Sequence, residues 1–125
     1  MSLYRLKLGK LAEEMAIRFL KKLGYKIIVR NYRCLFGEID VIAKEGESIV
    51  FIEIKSRSSP LFGPPHLRVT RNKRRNIVKT ACFYLKINSL LDANCRIDVV
   101  SVSLDKLKDP IELIRDAFHV DMWRY

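Results

Sequence analysis

At 125 residues the chain has room for one domain with a real core, spanning residues 1–125, and is too short to expect two. Its composition, 49% hydrophobic and 30% charged with the two classes mixed throughout, excludes a disordered chain; no apolar run exceeds five residues (Ala81 to Leu85), which excludes a bilayer-spanning helix. Lys plus Arg outnumber Asp plus Glu by 24 to 14, and the resulting +10 favours polyanionic partners: nucleic acid first, then anionic membrane or ribosomal surfaces.

The N-terminus, MSLYRLKLGKLAEEM, is charged early and lacks the apolar core of a signal peptide. A cytoplasmic protein without a membrane partner is expected. The cysteines agree. Cys34, Cys82 and Cys95 are odd in number and widely spaced, with no C-x-x-C pair, and read as free thiols of a reducing compartment. His66 and His119 have no partner at a metal-ligand or nucleophile spacing and receive no role.

The first predicted element is a helix from about Leu8 to Leu23, with Leu8, Leu11, Ala12, Met15, Ala16, Phe19, Leu20 and Leu23 on one stripe. Gly24 is placed to end it. At 100° per residue Glu13 falls at the edge of the stripe, between Gly9 and Ile17, while Glu14 faces solvent. The adjacent glutamates are therefore not equivalent. Three strands follow: YKIIVRNYR, EIDVIAKE and SIVFIEIKS, the last two joined at Gly46.

A Ser/Pro/Gly-rich stretch, SRSSPLFGPPHL, reads as a loop and as the most mobile part of the chain. Lying between the third strand and the next helix, it is placed to close over a substrate. That second helix starts near Thr70 and carries Ile77, Val78, Ala81, Cys82 and Leu85 in its later half. RIDVVSVSL is a further strand, and DPIELIRDAF reads as a terminal helix or turn with Pro110 at its start. This order predicts an α/β fold, one mixed sheet covered on both faces by helices.

Charges interrupt the apolar pattern of the second and third strands. On the third, Ile49, Phe51, Glu53 and Lys55 share one face, opposite Val50, Ile52 and Ile54; on the second, Glu38, Asp40 and Ile42 oppose Ile39, Val41 and Ala43. A two-residue turn at Gly46-Glu47 pairs Glu45 with Ser48, and counting back sets Asp40 directly across from Glu53; a four-residue loop gives the same register and a three-residue bulged loop does not. Carboxylates with Cβ atoms about 5 Å apart repel each other when partly desolvated. A divalent cation such as Mg²⁺ relieves that repulsion, with Lys55 beside the metal and an incoming phosphate. The same pattern also fits a solvated strand face with a weak Glu–Lys attraction, and at this level both arrangements stand.

Asp40, twelve intervening residues and then Glu53-Ile54-Lys55 resemble the bipartite PD…(D/E)xK signature of restriction-endonuclease-like nucleases. Over nearly its whole length the chain is similar to the YraN-like family of predicted bacterial endonucleases, themselves similar to archaeal Holliday-junction resolvases. The blocks Gly37-Glu38-Ile39-Asp40 and Phe51-Ile52-Glu53-Ile54-Lys55-Ser56-Arg57 carry the resemblance, with Gly24-Tyr25, Asn31-Tyr32-Arg33, Lys73 and Arg96-Ile97-Asp98 around them. Ala12 and Ile97 stand where such relatives usually have Gly and Phe.

The resemblance implies a restriction-endonuclease-like αβββαβ core and metal-dependent phosphodiester hydrolysis, on structured or branched DNA. By the same mapping Asp40, Glu53, Lys55 and Glu13 form the catalytic set. Asp40, Glu53 and the Ile54 carbonyl would hold Mg²⁺ or Mn²⁺, with Glu13 joining through water or helping to hold a second ion. Lys55 would orient the attacking water or offset developing charge. Glu38 is either a supporting residue or a solvated one.

Arg68, Arg71, Lys73, Arg74, Arg75 and Lys79, with no acid among them, read as a phosphate-contacting face, joined by Arg57 at the end of the third strand. A homodimer is implied only by analogy with junction resolvases. Two other readings share these features: a non-catalytic nucleic-acid-binding module that keeps the fold, and a scaffold whose basic surface binds protein or RNA.

Overall fold

The computed structural model describes residues 3–57, 70–104 and 111–118, without the side chains of Arg5 and Arg57. In chain order the elements are α1 (Leu3–Lys22), β1 (Lys26–Cys34), β2 (Gly37–Glu45), β3 (Ser48–Arg57), α2 (Arg71–Ile87), β4 (Cys95–Ser103) and β5 (Ile111–Ile114). The strands form one sheet in the order β1-β2-β3-β4-β5. All neighbours are antiparallel except β3 and β4, which run parallel and are joined through α2. This is the mixed α/β sheet of a restriction-endonuclease-like core.

Each face of the sheet is covered by one helix. Ala12, Ala16, Ile17 and Leu20 of α1 pack on Val41, Ala43, Val50, Ile52, Val100 and Val102. Ile77, Val78, Ala81, Tyr84 and Leu85 of α2 pack on Ile42, Ile49, Phe51, Ile97 and Val99. A central strand buried on both sides explains why β3 begins as a continuous apolar run. Each large apolar side chain so buried contributes roughly 1.5–3 kcal/mol.

The helix ends follow local rules. At the end of α1 the Tyr25 N–H reaches the Leu20 carbonyl at 3.0 Å and the Gly24 N–H reaches that of Lys21 at 3.0 Å. Gly24 carries the required positive φ of 95°, and Tyr25 and Leu20 are both buried against the sheet. α2 begins on Thr70, whose hydroxyl accepts the Lys73 N–H at 3.2 Å.

Three expectations need revision. The buried stripe of α1 is turned towards Ile17, which is 3% exposed, and away from Leu11 and Leu23, at 47% and 45%. The helix also starts earlier, at Leu3, in a turn whose apolar residues stay exposed and so gave no amphipathic signal. The segment expected as a terminal helix or turn is the strand β5, with a turn after it at Arg115 and Asp116. Val100 pairs with Leu113 and Val102 with Ile111, so the segment covers the otherwise open edge of β4. Ile111 and Leu113 face the α1 side and Ile114 the α2 side, an alternation that a four-residue helix could not exploit.

The expected closing loop, with Arg68 and His66, lies outside the described residues, as do His119 and the side chain of Arg57. Among the described residues no helix is long and apolar enough to cross a membrane.

A polar cluster is built into the α1 side of the sheet. Asp98, fully buried, accepts from Tyr25 Oη at 2.9 Å, Arg96 Nε at 3.0 Å and the Asp116 N–H at 2.9 Å. Arg96 also bonds Glu45, and Arg115 Nη1 reaches the same Glu45 oxygen at 2.5 Å. Both guanidinium groups lie over the Tyr25 ring, 5.8 and 5.5 Å from its centroid. The cluster ties the α1–β1 junction to β2, β4 and the residues after β5.

Candidate active site

The β2–β3 hairpin has the expected register: Glu45 faces Ser48, Lys44 faces Ile49, and the pairing continues to Val41 and Ile52. There it stops. One step further would bring Asp40 opposite Glu53, but the Asp40 carboxylate reaches over instead and accepts the Ile54 N–H at 2.7 Å. A side-chain oxygen thus takes a backbone donor at the point where the ladder ends.

On the other flank, Arg30 pairs with Val41 and Tyr32 with Ile39, and the residue between them, Asn31, adopts a left-handed φ of 54°. The strict alternation expected for β2 breaks here. Val41 packs on the α1 side, but Ile39 joins Ile42 on the α2 side. Asp40 is the pivot, and the backbone irregularity opens the sheet at the acid.

The opening is a cavity of about 360 Å³. Asp40 and Glu53 line it from the sheet, and Asn72, Lys73 and Asn76 from the first turns of α2. At the rim Gly37 has a φ of 146°, which L side chains rarely adopt; a Cβ there would meet Thr80 Oγ1 at 3.4 Å and Asn76 Cβ at 3.5 Å, ordinary contact, so it is the backbone conformation rather than space that calls for glycine.

Burial raises the Asp40 carboxyl to about 7, and the Glu53 charge pushes it in the same direction. The Ile54 N–H offsets only part of this. Glu53 itself is 4% exposed, and its Oε1 takes Lys73 Nζ at 2.8 Å and Lys55 Nζ at 3.4 Å. Burial lowers the Lys55 pKa, with Glu53 opposing and Lys73 adding to the shift. For Lys73 the hydrogen bond and charge of Glu53 outweigh burial and raise it. Two acids and two ammoniums therefore share one partly desolvated site.

Asp40, Glu53 and Lys55 come together as the sequence led one to expect. Glu13 stands one layer away. It borders a smaller cavity of about 130 Å³ with Asp40, Ile54 and Ser56, on the α1 side. Its Oε1 accepts from Arg30 at 3.0 Å and Asn31 Nδ2 at 3.2 Å, while Arg30 also binds Glu14. Among the described residues no three His, Cys, Asp or Glu side chains gather closely enough to hold one metal ion. Glu38, the residue left open, pairs with Arg33 at 3.1 Å at the rim of the main cavity.

The basic residues of α2 do not form one face. Arg71 and Arg75 are exposed, Lys79 is half-buried, and Arg74 lies over the Phe118 ring at 5.3 Å. Lys73 turns into the acidic site. That placement was available in the spacing, because Lys73 sits four residues before Ile77 and so prolongs the buried stripe of α2 towards the sheet. Asn72 and Asn76, also missed, flank it.

The profile of the Uncharacterised protein family UPF0102 matches residues 12–102, which include Asp40, Glu53, Lys55 and Lys73. A UPF0102 protein of Syntrophus aciditrophicus is 50% identical over 115 residues, covering 92% of this chain and 91% of its own length. One from Geobacter metallireducens is 43% identical over 120 residues, covering 96% and 98%, and one from Moorella thermoacetica is 42% identical over 120 residues, covering 94% and 100%. With a profile match across most of the chain and relatives this similar along nearly their full length, the chain belongs to the UPF0102 family.

Proposed function

We propose that this chain is a metal-dependent endonuclease that hydrolyses phosphodiester bonds, with structured or branched DNA as its substrate class. The observation that carries the reading is the pairing of half-buried Asp40 with buried Glu53 in one cavity where the β2–β3 ladder ends, with two lysines on Glu53. Burying like charges together costs several kcal/mol and serves no packing purpose here. It suits a site whose task is to hold a cation against a phosphate.

The donor set fits Mg²⁺ or Mn²⁺: two carboxylates of hard oxygen beside the Ile54 peptide, with room left for water and phosphate oxygens. Asp40, Glu53 and the Ile54 carbonyl would hold the ion, and Glu13 would act through water from the α1 side. When bound, such an ion offsets charge on the scissile phosphate and makes a water more acidic. The chain's own groups do the rest. Asp40 is positioned by the Ile54 N–H, Lys55 orients the water or meets developing negative charge, and Asn72 and Asn76 offer amides to the nucleic acid. Arg71 and Arg75 are exposed one helical turn apart on the side of α2 away from Lys73, so a phosphate contact there would be separate from the cavity.

A second reading draws on a different observation. Glu53 already has two ammoniums, so a non-catalytic binding module that uses the lysines for phosphate and the acids only to order them is also served by this site. Cleavage separates the two. Linear, flapped and four-way-junction DNA, and RNA counterparts, are incubated with Mg²⁺ and Mn²⁺ and wild type, Asp40→Ala, Glu53→Ala or Lys55→Ala. The nuclease reading expects wild-type cleavage that falls by at least about 10²-fold in each variant. Equal activity or equal inertness of all four proteins overturns it.

A further inference from the structure

Two ammoniums on one oxygen of Glu53 is more cation than a single buried acid needs. Counting Asp40 in the same cavity removes the excess, since two carboxylates and two ammoniums balance. A divalent ion between the acids would then bring two surplus positive charges into a partly desolvated site. Like charges this close repel even with protein-like screening, which favours the release of one ammonium.

The lysines differ in their freedom to do so. Lys55 is on β3, two residues from Glu53, with a side chain 23% exposed. Lys73 makes the shorter contact, 2.8 Å, yet its side chain is 46% exposed. Its backbone is fixed in the first turn of α2 by the Thr70 cap, at 3.2 Å, so only the flexible four-carbon stem needs to swing for the charge to leave. From that turn it faces the cavity mouth and shares the helix with Arg71 and Arg75.

We propose that Lys73 is a displaceable counter-ion. It occupies the charge position beside Glu53 in the metal-free protein, yields it to a divalent cation, and is released towards the phosphates of the nucleic acid. This rests on the metal-dependent reading above. It makes Lys73 a positioning residue that couples ion binding to substrate binding, rather than one more member of a basic helix face.

The test measures Mn²⁺ binding to nucleic-acid-free protein, from the electron paramagnetic resonance signal of the unbound ion, in wild type, Lys73→Met, Lys73→Gln, Lys55→Met and Glu53→Gln. Lys73→Gln keeps a hydrogen-bond donor and covers the case in which Lys73→Met does not fold. Removing the competing charge is expected to tighten Mn²⁺ binding about tenfold in both Lys73 variants, and by less in Lys55→Met. The rise in melting temperature on adding Mn²⁺ should grow in parallel.

Folded Lys73 variants with wild-type or weaker affinity, while Glu53→Gln loses the ion, would overturn the counter-ion role and leave the metal site standing. An equal gain in Lys55→Met would overturn the choice of Lys73. If neither wild type nor the Lys73 variants take up Mn²⁺, both this proposal and the metal-dependent reading fall.

Discussion

The sheet carries two buried acidic groups on opposite faces, and they are treated in opposite ways. Asp98, on the α1 side, is fully buried and surrounded by donors from Tyr25, Arg96 and the Asp116 backbone. Arg96 in turn is shared with Glu45, which also holds Arg115. Every charge there has an opposite partner at hydrogen-bond distance. Asp40 and Glu53 line one cavity on the α2 side where the β2–β3 ladder ends, and the Asp40 carboxyl is driven up by burial and by its neighbour. Both clusters match two acids with two cations, but in the first each acid holds an arginine, whereas in the second both ammoniums sit on Glu53 and Asp40 holds a backbone N–H.

The largest expected difference is in stability. Asp98→Ala would take the acceptor from the Tyr25 hydroxyl, Arg96 Nε and the Asp116 N–H, leaving Arg96 with Glu45, and the loss should be about 3–5 kcal/mol in urea unfolding. The Tyr25 phenol reports the same environment: burial, then the hydrogen bond to Asp98, raises it to about 12. A loss under about 1 kcal/mol would mean that the cluster relaxes freely, and the contrast with the α2 side would fail.

Asp40→Asn should act in the opposite direction. Its folded pKa of about 7 lies above the unfolded value, so the metal-free native state favours the protonated acid. Stability from this group is intact at acid pH, falls as pH rises from about 4 to about 7, and stays low above that. The asparagine, which can still accept the Ile54 N–H, removes the penalty. A gain of roughly 1–2 kcal/mol is expected near pH 8 and none near pH 4, together with loss of any cleavage.

Glu45 has the other sign. Burial opposes its ionisation, but hydrogen bonds from Arg96 and Arg115 outweigh it and hold the acid below its ordinary value. Its contribution is present above the unfolded pKa and disappears as pH falls through the folded one. Matching pH profiles for Asp40→Asn and Glu45→Gln would contradict the distinction between the two clusters.

Much of this was legible from local pattern. The turn at Gly46-Glu47 and two-residue alternation were enough to set Asp40 towards Glu53, because hairpin register is decided within a few residues. The edge position of Glu13 came from helical spacing in the same way. What was not legible depended on partners distant in sequence. β5 is a strand because β4 would otherwise expose an edge, which its own residues do not announce. Spacing puts Lys73 on the buried stripe of α2, but that this stripe points at the acids depends on where α2 crosses the sheet. The side switch of Ile39 depends on the left-handed Asn31 of the neighbouring strand.

The smallest expected effect compares two cations of similar exposure. Arg115 is 49% exposed and Lys73 46%, and each contacts a glutamate, but Glu45 is 22% exposed where Glu53 is 4%. Arg115→Ala leaves Glu45 with Arg96 and with water, so the cost should be about 0.5–1 kcal/mol, reduced by salt and indifferent to Mn²⁺. Part of that cost is the stacking over Tyr25, which Arg115→Lys would keep less well than the charge. A Mn²⁺-dependent change in the Arg115 variant would mean that the two faces communicate through the sheet. Without one, sensitivity to the ion belongs to the side that holds Asp40 and Glu53 together.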